Sequence, residues 1–322
     1  MNKTNIEWCD CTWNPVTGCY HDCPYCYARR IANRFGGCDK GSTYGAYHQA
    51  TWRRVNPDSP LEEALFEVDA KCPPINIKFD PEKQKQKTSV APYPWGFKPT
   101  LRRDHLADYE KKAGRTIFVC SMADLFGEWV PDNWIEEVFA SCEKAPQHRY
   151  MFLTKNPHRY MSLYEKSKLP LNNNFWYGST ATDNQTMMYA MRYLPAWKYN
   201  IFISIEPMLG SIKLFEAEQV PSWIVLGAMT GPGSNRHQPK QKWVEALARD
   251  ASDMAVPIFM KDSLVPIVGE ENMRREFPWE ANRSRREGRF QVVPPCGGHR
   301  SYESSLYPLI SFQVVPPCGG HL

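Results

Sequence analysis

The chain has 322 residues, with 39 basic and 35 acidic side chains and a formal net charge of +4. The length fits one large α/β domain or two small ones, and the 42% hydrophobic and 23% charged residues exclude a disordered or fibrous chain. No apolar run reaches the roughly 18 residues of a membrane-spanning helix, and residues 1–8 lack the apolar stretch of a secretory signal. We therefore expect a cytoplasmic protein without a membrane partner.

Cysteines are concentrated at the start of the chain, where six of the eleven lie in the first forty residues. In a reducing compartment this density favours metal or redox chemistry over disulfides. Cys19, Cys23 and Cys26 form a C-x3-C-x2-C pattern on a loop with Gly18 and Pro24, so three thiolates can converge on one ion or cluster. An iron–sulfur cluster usually takes four thiolates, and three would leave one iron open. A structural zinc site is the alternative, with a fourth ligand from Cys9, Cys11, His21 or Cys38.

Residues 38–100 separate this loop from the first long β-rich run. The part from 72 to 100 is rich in proline and glycine, which predicts an irregular insert. A loop of this length in a compact domain is usually functional or disordered, and a lid or a substrate surface would suit it.

Short β-rich runs then recur at intervals of about one βα unit. They lie at 116–120, 150–153, 175–178, 200–205, 223–226 and 256–260, and helical patterns lie between them at 132–142, 183–194 and 240–254. With a short strand before Cys19, the pattern predicts an α/β fold with a parallel, partly open barrel.

Polar residues follow these strands, at the carboxyl ends where α/β folds bind ligands. Those of interest are Ser121, Asp124, Lys155, Ser179, Thr180 and Glu206, with Cys120 just before Ser121. Three of these residues have a simpler interpretation. Lys155 would be a surface lysine, and Cys120 would be a buried strand residue. Glu206 would belong to a structural ion pair, with Lys155 as one candidate partner.

Several motifs together carry a resemblance. They are WNPVTGC at 13–19, FKPTL at 97–101, SMADLF at 121–126, LTK at 153–155, IEPMLG at 205–210 and TGPG at 230–233. The cysteine pattern, with Tyr25 just before its third cysteine, resembles the signature of radical S-adenosylmethionine (SAM) enzymes. Over roughly residues 4–265 the chain resembles a phage-associated radical SAM family of unknown function, and among characterised enzymes it is most similar to spore photoproduct lyase, a DNA repair enzyme.

The resemblance implies a partial (β/α)6 TIM-like barrel over residues 1–265, with the insert at 38–100. It implies a [4Fe–4S] cluster on Cys19, Cys23 and Cys26, with SAM on the open iron. Reductive cleavage of SAM would give methionine and a 5′-deoxyadenosyl radical, with a reductase as the electron donor.

Site roles follow from the same resemblance. Ser121 and Asp124 would meet the SAM amino group, Lys155 its carboxylate, and Ser179 and Thr180 the ribose hydroxyls. The backbone near Tyr25 and Tyr27 would lie against the adenine. Cys120 and Glu206 are the candidate catalytic residues. Cys120 would donate a hydrogen atom to a substrate radical, and Glu206 is a lone carboxylate next to Pro207.

Basic residues occur in pairs at 29–30, 53–54, 102–103 and 274–275, and Arg283, Arg285, Arg286 and Arg289 follow, with aromatic residues nearby. Clustered arginines suit phosphates and aromatic faces suit exposed bases. An ordinary solvated face is the simpler interpretation. With the lyase-like resemblance, the pattern suggests a nucleobase or nucleotide in DNA or RNA as the substrate. The alternative is a zinc-stabilised nucleic-acid-binding protein without catalysis.

The sequence predicts an irregular basic extension over residues 266–322. It contains FQVVPPCGGH twice, at 290–299 and 312–321. Cys296, His299, Cys318 and His321 would suit a zinc site or an auxiliary cluster, and a recent duplication in a loose tail is the simplest explanation.

Overall fold

The computed structural model describes residues 2–36, 52–68, 75–80, 82, 84–107, 110–214, 219–231 and 233–280. Some predicted features lie outside these residues: Cys38, Arg283, Arg285, Arg286 and Arg289, and both copies of the tail repeat with Cys296, His299, Cys318 and His321. Residues Met1–Ala281 form one compact unit. No helix among the described residues is long and apolar enough to cross a membrane.

From residue 116 onwards, a helix lies between most successive strands of the described chain. The strands are β1 Asn2–Lys3, β2 Cys11–Trp13, β3 Val16–Thr17, β4 Trp52–Arg54, β5 Phe66–Val68, β6 Ile75–Asp80, β7 Lys85–Val90, β8 Thr100–Arg102, β9 Thr116–Val119, β10 Arg149–Thr154, β11 Phe175–Thr180, β12 Asn200–Ile205, β13 Trp223–Leu226 and β14 Ile258–Met260. The helices are α1 Tyr27–Phe35, α2 Asp132–Glu143, α3 His158–Glu165, α4 Asn184–Tyr193, α5 Gln241–Asp253 and α6 Val265–Val268.

Seven parallel strands form one curled half-barrel sheet in the order β2-β9-β10-β11-β12-β13-β14, and β1 adds an antiparallel edge beside β2. The six predicted strands correspond to β9–β14, and the strand expected before Cys19 is β2. The predicted helices correspond to α2, α4 and α5. The α/β fold with a parallel sheet is therefore confirmed.

The two faces of the sheet carry different side chains because neighbours along a strand point to opposite faces. In β10, Tyr150 and Phe152 belong to the large core under the helices, whereas Met151 belongs to a second, aromatic-rich cluster. We call the side away from the helices the concave face. Its cluster contains Trp176, Phe202, Trp223 and Phe259.

Gly178 makes room for this cluster. A Cβ at this position would lie 2.4 Å from the Phe202 ring.

The insert is not irregular throughout, which corrects the prediction for 38–100. Its described residues form β4 and β5, which join β3 and β8 in a four-stranded sheet ordered β3-β8-β5-β4, and a β6–β7 hairpin. β4 and β5 are only three residues long, so they carry too little alternation to be visible in the sequence. They are held by pairing with distant segments, such as Phe66 with Thr100.

The described part of the C-terminal extension packs on the curled sheet. Arg275 forms a bridge with Phe259 of β14, and Phe277 and Trp279 pack against the concave-face cluster. Residues 266–280 therefore belong to the same compact unit as the sheet.

Candidate functional site

A cavity of about 620 Å³ lies at the carboxyl ends of the curled sheet. This volume is within the range of sites that bind small molecules and cofactors. All but two of the predicted site residues line it: Cys19, Cys23, Tyr25, Cys26, Tyr27, Ser121, Asp124, Lys155, Thr180 and Glu206. The fold thus brings the cysteine loop (residues 18–26) and the strand ends to one place, which we call the strand-end cavity.

The start of the cysteine loop is fixed by its backbone. Gly18 donates its N–H to the Met122 carbonyl at 2.9 Å, and Cys19 donates to the Phe97 carbonyl at 3.1 Å. Gly18 has φ +88°, and a Cβ there would lie 2.2 Å from the Lys98 carbonyl oxygen. Only glycine fits both the left-handed conformation and this close approach.

Asn14 adds a side-chain link to the same region. Its Oδ1 accepts hydrogen bonds from Ser121 Oγ at 3.1 Å and from the Met122 N–H at 3.0 Å. The WNPVTGC and SMADLF motifs therefore meet directly beside the cavity.

Backbone N–H groups point at two of the three loop thiols. Cys19 Sγ accepts from the His21 N–H at 3.4 Å, and Cys26 Sγ caps α1 by accepting from the Arg29 N–H at 3.3 Å. Burial raises the pKa of Cys19 to about 12 and also raises the pKa of Cys23. A thiolate here therefore needs compensating positive charge, which a metal cluster would supply.

The three thiols have the donor chemistry of iron–sulfur ligands and share one cavity, and N–H···S bonds are among the interactions that tune such clusters. The described residues contain no group of three or more His, Cys, Asp or Glu side chains gathered to hold a metal ion.

Of the described residues proposed to complete a zinc site, only His21 lines the cavity with the three thiols. Cys11 is buried in the core under the helices, Cys9 packs against the concave-face cluster, and His21 Nε2 is 2.8 Å from Asp124 Oδ2.

Asp124 is a buried hub between the cysteine loop and two strands. Its Oδ1 accepts from the Phe126 N–H at 3.0 Å and from Thr154 Oγ1 at 2.7 Å. Its Oδ2 accepts from the Lys155 N–H at 2.9 Å and pairs with His21 Nε2 at 2.8 Å. A carboxylate has about four lone-pair sites, so all of them are used within the protein. Asp124 thus positions His21 and Lys155.

Lys155 reaches from the end of β10 towards the cysteine loop. Its Nζ lies 3.5 Å from the Tyr25 hydroxyl and 5.4 Å from the centre of that ring. Tyr27 donates its hydroxyl to the Ser121 carbonyl at 2.7 Å. Both tyrosines therefore tie the cysteine loop and α1 to residues that follow the strands.

Cys120 and Ser179 are the two predicted site residues that do not line the cavity. Cys120 is buried in the helix-side core, and burial raises its pKa to about 12, so the interpretation as a buried residue agrees with the structure. Ser179 is buried, and its hydroxyl donates to the Thr154 carbonyl at 3.2 Å. Because β11 continues through Thr180, alternation allows only one of Ser179 and Thr180 to face the cavity.

Glu206 forms an ion pair with Lys261, which corrects the suggestion that Lys155 is its partner. Both side chains line the strand-end cavity, from the ends of β12 and β14. Gly227 lies between them, where a Cβ would be 3.2 Å from the Lys261 side chain and 3.4 Å from that of Glu206. A larger residue at 227 would crowd this pair.

Most arginines of the basic pairs form ion pairs within the chain. These are Arg29 with Asp22, Arg53 with Glu67, Arg102 with Asp104, Arg103 with Glu67 and Glu137, Arg274 with Glu276, and Arg275 with Glu7 and Asp262. Arg102 is fully buried. The charges of these arginines are therefore matched by carboxylates within the chain. Among the described members, Arg30 is the one that is exposed and lines the cavity.

The cavity residues that were not among the predicted site residues include Trp8, Thr12, Ser204 and Lys261. Alternation alone would have identified Ser204, because Ile203 and Ile205 are the apolar positions of β12 and leave Ser204 on the other face. Trp8 and Thr12 precede the cysteine pattern and carry no comparable signal.

Fold and site together define an α/β protein whose candidate ligand site lies at the carboxyl ends of a curled parallel sheet. Residues 3–270 match a family described as a protein of unknown function, DUF5131, and the chain belongs to that family. No curated protein and no solved structure matches the chain. Every residue that lines the cavity lies within the matched range.

Proposed function

We propose that the protein is a radical SAM enzyme whose curled sheet is a partial (β/α)6 TIM-like barrel. Cys19, Cys23 and Cys26 would be the ligands of a [4Fe–4S] cluster. One observation carries the proposal: the three thiols line the same cavity as the polar strand ends, and two of the sulfurs accept backbone hydrogen bonds. Three thiolate ligands leave one iron free to bind a further molecule.

A [4Fe–4S] cluster held by Cys19, Cys23 and Cys26 would supply the electron for reductive cleavage of SAM, the chemistry that starts hydrogen abstraction from a substrate. The protein binds and orients the reactants. Lys155 offers an ammonium group to the SAM carboxylate, a charge-assisted contact. Ser121 and Thr180 offer hydroxyls to its polar groups, and Tyr25 and Tyr27 border the adenine. Asp124 acts through His21 and Lys155, which it holds in place.

The concave face suits chemistry that must be protected from water. Buried Trp176, Phe202 and Trp223 pack together on that face, and exclusion of water limits side reactions of reactive intermediates. At the cavity, the Glu206–Lys261 ion pair offers both a proton acceptor and a proton donor to a polar substrate group.

A reductase is the partner class that this chemistry needs, and a nucleobase or nucleotide is the substrate class that the resemblance suggests. The zinc-stabilised nucleic-acid-binding protein remains the competing hypothesis. Metal content separates the two, because iron with sulfide gives a brown protein and zinc a colourless one.

The test is anaerobic purification and reconstitution with iron and sulfide, followed by measurement of bound iron and of 5′-deoxyadenosine formed from SAM with a chemical reductant. Cys23→Ala should lose most of the iron and the product. Cys9→Ala is the matched control, since Cys9 is also a partly buried free thiol but does not line the cavity. It should keep both.

Two results would reject the proposal. One is a protein that binds zinc in place of iron under these conditions. The other is a Cys23→Ala variant that retains the full iron content and still cleaves SAM.

A further inference from the structure

Several polar groups on the buried wall of the strand-end cavity make no hydrogen bond to any described residue. Ser204 is 3% exposed and Thr12 is 8% exposed, and both line the cavity with Thr180. The indole N–H of Trp8 is buried and also has no partner in the described part of the chain. Burying a donor without an acceptor is unfavourable, so the Trp8 indole N–H points to a bound molecule. The hydroxyls are not among the buried unpartnered groups and are open to contact that molecule from the cavity wall.

These groups form one surface. Thr180 and Ser204 are register partners in the adjacent strands β11 and β12, and parallel strands lie about 4.8 Å apart. Thr12 is the register partner of Phe118, whose ring is 4.9 Å from that of Trp8. Hydroxyls that can donate or accept therefore share a wall with aromatic rings.

The charge on this wall is balanced. Glu206 is paired with Lys261, so a buried anion or cation would find no free partner among these residues. The cations that line the cavity elsewhere are nearer to solvent: Lys3 and Arg30 are exposed, and Lys155 is partly exposed. We call the wall formed by Trp8, Thr12, Thr180 and Ser204 the floor of the cavity. The floor is uncharged and partly aromatic, and the cations lie nearer the opening of the cavity.

We infer that this floor binds the heterocyclic base of a nucleotide, with the phosphate towards Lys3 and Arg30, which leaves Lys155 to the SAM carboxylate. A base is flat and neutral, and its edge carries both donors and acceptors, which suits hydroxyls beside aromatic rings. The inference rests on the proposed function, because it names the substrate class of the same cavity. It does not need the cluster for its test.

The experiment titrates the full-length, metal-free protein with the 5′-monophosphates of adenosine, cytidine, guanosine, uridine and thymidine, each separately, by calorimetry. At least one should bind. Ser204→Ala and Thr12→Val should each weaken that binding about tenfold, since each removes a buried hydrogen-bonding group. Ser179→Ala is the matched control: it removes a buried serine hydroxyl from the neighbouring strand, on the opposite face, and should leave affinity unchanged.

Thermal unfolding provides the readout that separates binding from packing. Ser204→Ala should unfold at about the same temperature as the wild type, because the Ser204 hydroxyl makes no hydrogen bond to a described residue. Ser179→Ala should unfold at a lower temperature, because it removes a made hydrogen bond. A single-stranded oligonucleotide is tested beside the free nucleotide, and the tighter binder identifies the form in which the base is presented.

Three results would overturn the inference. The first is that no nucleotide and no oligonucleotide binds, or that the hydroxyl variants bind as tightly as the wild type. The second is that ribose 5-phosphate binds as well as the nucleotide, which would assign the affinity to the phosphate. The third is that Ser204→Ala weakens SAM binding as much as nucleotide binding. Failure to bind iron, with nucleotide binding intact, would reject the proposed function and leave this inference standing.

Discussion

The hub at Asp124 allows a sharp test, because the change Asp124→Asn keeps the size of the side chain and removes one acceptor. The amide has one oxygen and one NH2 group, whereas both carboxylate oxygens now accept. If the nitrogen replaces Oδ2, it faces the Lys155 N–H. If it replaces Oδ1, it faces the Phe126 N–H. Either orientation leaves a backbone donor without an acceptor.

The magnitude follows from these bonds. A hydrogen bond to a charged group contributes about 1.5–3 kcal/mol, and leaving a buried donor unsatisfied costs about 1–3 kcal/mol. Because the two terms overlap, we expect Asp124→Asn to lower the free energy of unfolding by about 2–4 kcal/mol. For a domain of this size that corresponds to a fall in Tm of about 4–16 °C.

The assay is thermal unfolding of the metal-free protein followed by circular dichroism. Asp22→Asn is the control, because Asp22 lies on the same loop but its side chain is 91% exposed, and its ion pair is with Arg29. Exposed ion pairs contribute little, so its Tm should stay close to that of the wild type. If Asp124→Asn lowers the Tm by less than about 2 °C, the assignment of Asp124 as a hub is refuted. Asp124 would then be free to bind a ligand directly.

Two further predictions concern the frame around the site. Gly18→Ala should destabilise the protein by about 2–6 kcal/mol, because it combines backbone strain with a steric clash. Gly233→Ala, with φ +79° and no atom within 4 Å of the added Cβ, should show only the strain; equal losses of Tm for the two variants would contradict the clash. Burial alone would raise the pKa of Glu67, but hydrogen bonds from Arg103, Trp134 and Arg53 lower it below 4.5. This stabilisation is present above pH 4.5 and is lost as the pH falls through the lowered pKa. The Tm difference between the wild type and Glu67→Gln should therefore shrink from pH 7 to pH 3, and a difference independent of pH would reject this reasoning.

The curled sheet could be predicted because its signals are local. Runs such as 200–205 are long enough to show β-rich composition, and Asp183 caps α4 by accepting from the Thr186 N–H at 2.8 Å. The sheet of β3, β4, β5 and β8 could not be predicted, since its strands have two or three residues each. Their pairing is set by contacts distant in sequence.

The candidate site was predicted in part for a related reason. The carboxyl ends of parallel strands meet at one edge of a sheet, so Asp124, Lys155 and Glu206 could be placed together without a structure. Which side chain pairs with which depends on the curl of the sheet. That curl brings Lys261 of the last unit to Glu206, while Lys155 turns to Tyr25.

At the carboxyl ends of the strands, residues on one face of the sheet stabilise the fold, and residues on the other face line the cavity. On the helix-covered face, polar groups there are satisfied, as Ser179 is by the Thr154 carbonyl. On the concave face one residue further along, Thr180 and Ser204 line the cavity without a described partner. On the same wall the Trp8 indole N–H is buried without an acceptor among the described residues. A fold selected for stability alone would satisfy or replace such a group, because an unsatisfied buried donor costs a measurable part of a marginal stability. Local departures from that rule are expected where a ligand completes the site. Substitutions on the helix-covered face should therefore lower stability, whereas substitutions on the concave face should weaken binding.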